Sequence, residues 1–119
     1  INNNNNSINN VNDISPADLA VNVQNLNFEY RRNHKVLRNV NLKVPRGNIF
    51  ALLGPNGTGK TTLIRTILGR LRYKSGSIRV FGVKSGSDYS DIPGPGVGYM
   101  PQELALFEEF TIEECLTYY

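Results

Sequence analysis

The residues best suited to chemistry lie in a short glycine-rich run that ends in a lysine and two threonines. The run is Gly54-Pro55-Asn56-Gly57-Thr58-Gly59-Lys60-Thr61-Thr62, which fits the pattern G-x-x-x-x-G-K-T. Glycines at these positions let backbone N–H groups turn inward and form a concave nest for an anion. In such a loop Lys60 can reach the β- and γ-phosphates of a nucleotide, and the Thr61 hydroxyl can bind Mg²⁺. The pattern therefore predicts a phosphate-binding P-loop for a nucleoside triphosphate.

The elements on either side of this loop occur in the order that phosphate binding requires. Before the loop comes a short apolar run typical of a buried strand, Ile49-Phe50-Ala51-Leu52-Leu53. After the loop, apolar residues repeat at helical spacing: Leu63, Ile64, Ile67, Leu68 and Leu71. A helix here would point the positive end of its dipole at the bound phosphates. This context argues against a chance match of the glycine pattern.

Length and composition limit the remaining possibilities. The chain has 119 residues, enough for one domain at most, and 13 basic residues against 10 acidic ones. That balance is too weak to indicate a nucleic-acid or membrane-surface partner. Cys115 is the only cysteine, so no internal disulfide can form and a reducing compartment is favoured. No apolar run approaches the about 20 residues of a membrane span, and we expect a soluble segment.

The chain divides into a polar tail and an ordered part. Eight of the first twelve residues are Asn, and a segment with so little apolar surface is expected to be disordered. We place this tail at residues 1–19 and the ordered part at 20–119. The chain begins without Met and ends within an apparent new helix, so we expect a fragment that is truncated at its C-terminal side.

Alternating apolar residues predict an antiparallel hairpin before the P-loop. The first run changes parity partway, which predicts a bulge; it comprises Val21, Val23, Leu26, Phe28 and Tyr30. The second run follows a polar turn at residues 31–35 and comprises Val40, Leu42 and Val44. Further strands are expected at Ile78–Gly82 and Val97–Met100, with a loop at 84–96 between them. Thr111 and Glu114 predict a capping box at the start of a last helix.

One motif of another P-loop class is matched only in its letters. Asp91-Ile92-Pro93-Gly94 reads D-x-x-G, which GTPases place after a buried strand to reach the metal and the γ-phosphate. The residues before it, 85–90, are polar and cannot form that strand. The match is therefore interpreted as accidental.

The stretches around the P-loop together resemble the opening of an ATP-binding cassette (ABC) domain. The resemblance covers residues 21–119 without a gap and rests on these stretches: Leu26-x-Phe28-x-Tyr30, Val36-Leu37-x-Asn39-Val40-x-Leu42-x-Val44-x-x-Gly47, the P-loop, Ser75-Gly76-x-Ile78, Gly98-Tyr99-Met100-Pro101-Gln102 and Phe110-Thr111-Ile112-Glu113-Glu114-x-Leu116. It implies an α/β fold: half of a P-loop NTPase (RecA-like) core with an antiparallel β-subdomain.

The resemblance also implies roles for individual residues. Tyr30 matches the family's aromatic residue that stacks on adenine, and the P-loop residues 54–62 would hold the phosphates of ATP. Lys60 and Gln102 would serve catalysis, and Thr61 and Gln102 would bind Mg²⁺. An amide such as that of Gln102 can both accept and donate hydrogen bonds, which suits a residue near metal and water.

The implied function is that of an ABC transporter subunit or domain on the cytoplasmic face of a membrane. ATP binding and hydrolysis between two such domains, arranged head to tail, would drive substrate across a transmembrane domain. Residues 103–110 would help to contact that domain, and no nucleic acid is expected. The similarity is greatest to exporter-type cassettes, including the G and H subfamilies.

Three family motifs needed for hydrolysis are absent from the sequence: the Walker B strand with its acidic residues, the Leu-Ser-Gly-Gly-Gln signature and the switch histidine. In the family they follow the Gln102 position, so we expect the parent protein to be an ATPase and the isolated fragment to be inactive. Two alternatives remain open. One is a soluble ABC ATPase of translation or chromosome maintenance, and the other is an inactive remnant.

Overall fold

Most of the regular structure among the described residues belongs to an antiparallel sheet. The structure is a computed structural model that describes residues 14–31, 34–102 and 107–118. The strands are β1 (Leu19–Glu29), β2 (Lys35–Pro45), β3 (Ser75–Val80) and β4 (Val83–Lys84), in the sheet order β2-β1-β3-β4. The helices are α1 (Lys60–Ile67) and α2 (Ile112–Tyr118), and a short 3-10 helix, Pro16–Asp18, precedes β1. The predicted disordered tail lies mostly outside the described residues.

The hairpin of β1 and β2 confirms the prediction from the alternating pattern. Val23 pairs with Leu42 and Leu26 with Val40, and the pairing register shifts between them. The predicted bulge is therefore present. At its centre Asn25 has φ of 49°, a conformation that Asn tolerates better than most residues. Strand β2 is longer than predicted, since it already begins at Lys35.

Four asparagines form hydrogen bonds with one another where the two strands of the hairpin are irregular. They are Asn25, Asn27, Asn39 and Asn41, and we call them the asparagine clasp. Asn25 and Asn39 both have positive φ, at 49° and 47°. The backbone N–H of Asn25 donates to Asn41 Oδ1 at 2.9 Å, and that of Asn39 donates to Asn27 Oδ1 at 3.0 Å. In return, the side-chain amides of Asn27 and Asn41 donate to the carbonyls of Asn25 and Asn39 at 2.9 and 3.0 Å. Side chains thus satisfy backbone groups that a bulge withdraws from the ladder.

One face of the sheet forms the core together with α1. The buried cluster comprises Val23, Leu26, Phe28, Leu37, Leu63, Ile78, Val80 and Ile92. Burial of each such side chain contributes about 1.5–3 kcal/mol relative to exposure. The helical spacing predicted for α1 is confirmed at Leu63 and the adjoining Leu68, which are both buried, whereas Ile64 is exposed. The helix ends before Gly69, whose φ of 70° suits the turn that follows a helix.

The predictions for two other strands were wrong. Residues 49–53 and 97–100 have no regular secondary structure. Ile49 is fully exposed, and Leu53 and Met100 are 87% and 91% exposed. A continuous apolar run is typical of a strand buried in a parallel sheet, which needs hydrogen-bonding strands on its flanks. The sheet formed by the described residues has four antiparallel strands and pairs with neither segment.

The strand predicted after α1 and the last predicted helix are both present. The strand expected at Ile78–Gly82 is observed as β3, followed by a turn at Phe81 and Gly82 into β4. The capping box at the start of α2 is also formed. The Thr111 N–H donates to Glu114 Oε2 at 2.8 Å, and the Glu114 N–H donates to Thr111 Oγ1 at 3.3 Å. Among the described residues, no helix is long and apolar enough to cross a membrane.

Candidate functional site

The P-loop turns through glycines that adopt backbone conformations other residues rarely adopt. Gly57 and Gly59 have φ of 82° and 91°. Gly59 also lies against β2, because a Cβ added there would be 3.0 Å from Leu37 Cδ2 and 3.1 Å from Val36 Cγ1. Glycine at position 59 therefore permits both the turn and the close approach of loop to sheet.

Lys60 lies across this loop as its first helical residue. Its Nζ donates to the carbonyls of Gly54 at 2.6 Å and Pro55 at 2.7 Å. The hydroxyl of Thr58 donates to the same Pro55 carbonyl at 2.9 Å. The ammonium group is thereby held over the segment whose N–H groups would face an anion. This arrangement suits a loop that binds phosphate oxygens.

Two adjacent threonines at the start of α1 differ in their exposure to solvent. Thr61 is exposed, whereas Thr62 is buried with 7% of its surface accessible. No side chain caps the helix at Gly59, so the free N–H groups of the first turn remain available toward the loop. Because Thr61 is exposed, an ion from the solvent could reach its hydroxyl. Thr62 is instead buried against the rest of the protein.

Tyr30, which directly follows β1, lies beside this first turn of α1. Its hydroxyl is 3.2 Å from Thr62 Oγ1. The ring of Tyr30 contacts the buried ring of Phe28 edge-on, with centroids 4.8 Å apart and planes at 87°. The fold thus brings the predicted base-stacking residue to the P-loop helix from 32 residues away in the sequence. More than half of the Tyr30 side chain stays exposed to solvent.

Gln102 is not brought to the loop in the same way. It is exposed and precedes residues 103–106, which lie outside the described part of the chain. Among the described residues no hydrogen bond joins Gln102 to the P-loop, so its predicted roles toward metal and water stay predictions.

Sequence analysis missed contacts that connect distant segments. The guanidinium of Arg70 lies 4.8 Å over the ring of Tyr99 and connects the segment after α1 to residues 97–100. The asparagine clasp was also missed, although the motif N-x-N occurs in both strands of the hairpin. That repeated motif is a signal that could have found it. No comparable local pattern in the sequence indicates the contact between Tyr30 and Thr62.

Comparison with known proteins agrees with the geometry. The sequence profile of the family described as ABC transporter matches residues 37–115. ABC transporter G family member 23 of Dictyostelium discoideum is 40% identical over 102 residues, covering 86% of this chain and 14% of that protein. The zinc transport system ATP-binding protein TroB of Treponema pallidum is 39% identical, covering 82% of this chain and 35% of that protein.

Solved structures lead to the same family. CbiO1 of Clostridium perfringens, part of the ABC transporter complex cbiONQ, superposes with a TM-score of 0.56 at 36% identity, over 61% of this chain and 28% of that one. A bacterial Atm1-family ABC exporter with ATP bound gives a TM-score of 0.54 at 27% identity, over 60% of this chain and 12% of that one.

The chain belongs to the ABC transporter family and corresponds to part of its ATP-binding domain. Its relatives include G-type members, among them G family member 20 of Dictyostelium discoideum at 43% identity. The chain spans about 14% of the length of these two G-family relatives.

Proposed function

We propose that this chain supplies part of the ATP-binding site of an ABC ATPase that couples ATP binding and hydrolysis to substrate transport across a membrane. The observation that carries the proposal is the contact of Tyr30 with the first turn of α1. A nucleotide with its phosphates in the P-loop would find an exposed aromatic face within the same short region. Base–aromatic stacking contributes roughly 1–3 kcal/mol per base in other proteins.

Different residues of the loop would make different contacts with the nucleotide. Lys60 would exchange its carbonyl partners for the β- and γ-phosphate oxygens, with which its charge makes stronger hydrogen bonds. The remaining loop residues from Gly54 to Gly59, except Pro55, which has no N–H, would present backbone N–H groups to the phosphates. Thr62, the last residue of the P-loop, lies in the first turn of α1 and would also contribute to nucleotide binding.

We propose Mg²⁺ as the bound ion, with Thr61 and Gln102 as the ligands that this chain would supply. Thr61 supplies an exposed hydroxyl oxygen and Gln102 an exposed amide oxygen, and oxygen ligands together with phosphates and water are what Mg²⁺ takes in nucleotide sites. When bound, the ion would neutralise charge on the transferring phosphoryl group. We propose that the carboxylates completing this site lie outside the present sequence, so that the 119 residues alone do not turn over ATP.

Partners are proposed from the exposed surfaces. The aromatic rings of Phe107, Phe110 and Tyr118 contact one another, and all three keep more than a third of their surface exposed. We propose that this cluster faces a transmembrane domain on the cytoplasmic side, and that a second ABC domain closes over the nucleotide head to tail. The relatives named above as transport proteins favour this function over a soluble ATPase or an inactive remnant.

The decisive experiment is a matched pair of substitutions in the intact protein. Lys60→Ala is expected to weaken MgATP binding about 10- to 150-fold, since charge-assisted hydrogen bonds of about 1.5–3 kcal/mol are lost. Arg65→Ala removes an exposed cation from the same helix and should change the dissociation constant little. Isothermal titration calorimetry measures both. Equal losses from the two variants would contradict the P-loop assignment.

A further inference from the structure

The hydroxyl groups of Tyr30 and Thr62 meet where the hairpin contacts the P-loop helix. Their oxygens are 3.2 Å apart, and either can donate. Thr62 is 7% exposed, so its hydroxyl has little access to water, whereas Tyr30 is 53% exposed. The buried partner therefore holds the end of a ring that is otherwise largely free.

A second contact fixes the same ring from another direction. Phe28, which is 5% exposed in the core, contacts the Tyr30 ring edge-on at a centroid distance of 4.8 Å. Aromatic pairs favour this perpendicular geometry. With one contact at the hydroxyl and one along the ring, the side chain is oriented while much of its surface remains available.

We propose that Thr62 is a positioning residue for base recognition: its hydroxyl holds the ring of Tyr30 in place, so that the base-stacking face and the phosphate loop form one rigid unit. This inference rests on the proposed function. A tyrosine that is already ordered loses less side-chain entropy when a base stacks on it, and affinity increases accordingly. The two adjacent threonines then have separate tasks, because Thr61 faces the ion and Thr62 faces the tyrosine.

The test uses substitutions that change only the hydroxyl. Thr62→Val keeps the shape of the side chain and removes the hydrogen bond, whereas Thr62→Ser keeps the hydroxyl. In the intact protein Thr62→Val should weaken MgATP and MgADP binding about 2- to 5-fold, the effect of one neutral hydrogen bond at a partly exposed site. Thr62→Ser should bind nearly as the wild type does. Thr66→Val is the matched control, because Thr66 is buried one turn further along α1 and donates to the Thr62 carbonyl instead.

A base-free ligand separates positioning of the ring from damage to the loop. Magnesium tripolyphosphate occupies the phosphate nest without a base, so Thr62→Val should weaken its binding clearly less than the binding of MgATP. Retained tripolyphosphate binding also shows that the loop of the variant is folded. If tripolyphosphate binding falls as much as ATP binding, Thr62 acts on the phosphates and the positioning role is refuted.

A double-mutant cycle tests the link itself. Tyr30→Phe removes the other hydroxyl of the pair and keeps the ring. If the two hydroxyls act only through each other, Tyr30→Phe combined with Thr62→Val should weaken ATP binding no more than either change alone. Fully additive losses, or no loss in Thr62→Val, would overturn the inference.

Tyr30→Ala distinguishes failure of this inference from failure of the proposed function. A marked loss of ATP affinity in Tyr30→Ala, with no effect of Thr62→Val, refutes only the positioning role. An ATP affinity that Tyr30→Ala leaves unchanged refutes the base-stacking role on which the inference depends.

Discussion

The antiparallel sheet and the segments that flank the P-loop differ in how completely their apolar residues are buried. Leu26 in β1 is fully buried, whereas Leu53, directly before the loop, is 87% exposed. Both residues belong to runs that sequence patterns assign to strands. In the sheet each strand has an antiparallel partner among the described residues, and only five residues of sequence separate β1 from β2.

Residues 49–53 lack such a partner among the described residues. A parallel strand pairs only after a crossover connection, and its neighbours come from distant parts of a chain. A continuous apolar run therefore predicts burial in a complete sheet but cannot by itself supply the sheet. The comparison shows that the same apolar content yields a strand in one region and an exposed, irregular segment in the other.

The largest expected effect tests this contrast with one substitution at two sites. In the 119-residue chain, Leu26→Ala should lower the free energy of unfolding by about 2–5 kcal/mol, because it leaves a cavity in the core. Leu53→Ala should change it by less than about 0.5 kcal/mol, as exposed sites do. Urea unfolding followed by circular dichroism measures both. A similar loss at both sites would show that residues 49–53 are packed in this chain and would remove the contrast.

A smaller effect tests how tightly the sheet itself is built. Gly76 in β3 has φ of 107°, and a Cβ there would lie 2.6 Å from the Asn25 carbonyl oxygen. Gly82 also has positive φ, 87°, but a Cβ there would meet nothing within 4 Å. Gly82→Ala should therefore cost only the conformational strain, about 1–2 kcal/mol.

Gly76→Ala should add a clash with backbone to that strain and destabilise the protein by about 2 kcal/mol more than Gly82→Ala does. Hydrogen exchange of the β1 and β3 amides, followed by mass spectrometry, compares the two variants in the intact protein. Equal protection in both would mean that β1 and β3 can separate at little cost, contrary to the contrast with residues 49–53.

The smallest expected effect concerns α2, which is held by its capping box. Hydrogen bonds to the Glu114 carboxylate from the Thr111 N–H, and then from the Thr111 hydroxyl, lower the pKa of Glu114 below its ordinary value of 4.5. A lowered pKa in the folded state means that the cap stabilises α2 fully above about pH 4.5 and is lost as the pH falls through the folded pKa. Amide exchange in α2, corrected for intrinsic rates, should therefore become faster below that range.

Two neighbouring glutamates provide the control for this pH effect. Glu114→Gln should abolish the pH response, whereas Glu113→Gln should leave it in place because Glu113 is not part of the box. A response that persists in Glu114→Gln would assign it to another group.

Local patterns predicted much of the fold and the core of the site. The glycines of the P-loop, the helical spacing after it and the parity change at Asn25 each depend on residues close in sequence, and each is present in the structure. The capping box of Thr111 and Glu114 is likewise a local pattern that the structure confirms. The state of residues 49–53 and 97–100 could not be predicted in this way, because sheet partners are supplied by distant segments.

The sequence by itself determined that the chain contains a phosphate-binding loop, which residues can meet phosphate there, and that a bulged hairpin precedes it. Only the tertiary structure decided that Tyr30 meets Thr62, that asparagines of two strands satisfy each other's bulges, and that Leu53 is exposed while Leu26 is buried. The physical reason is one of range. Turn geometry and helical spacing act over a few residues, whereas burial and hydroxyl contacts depend on which distant segments pack together.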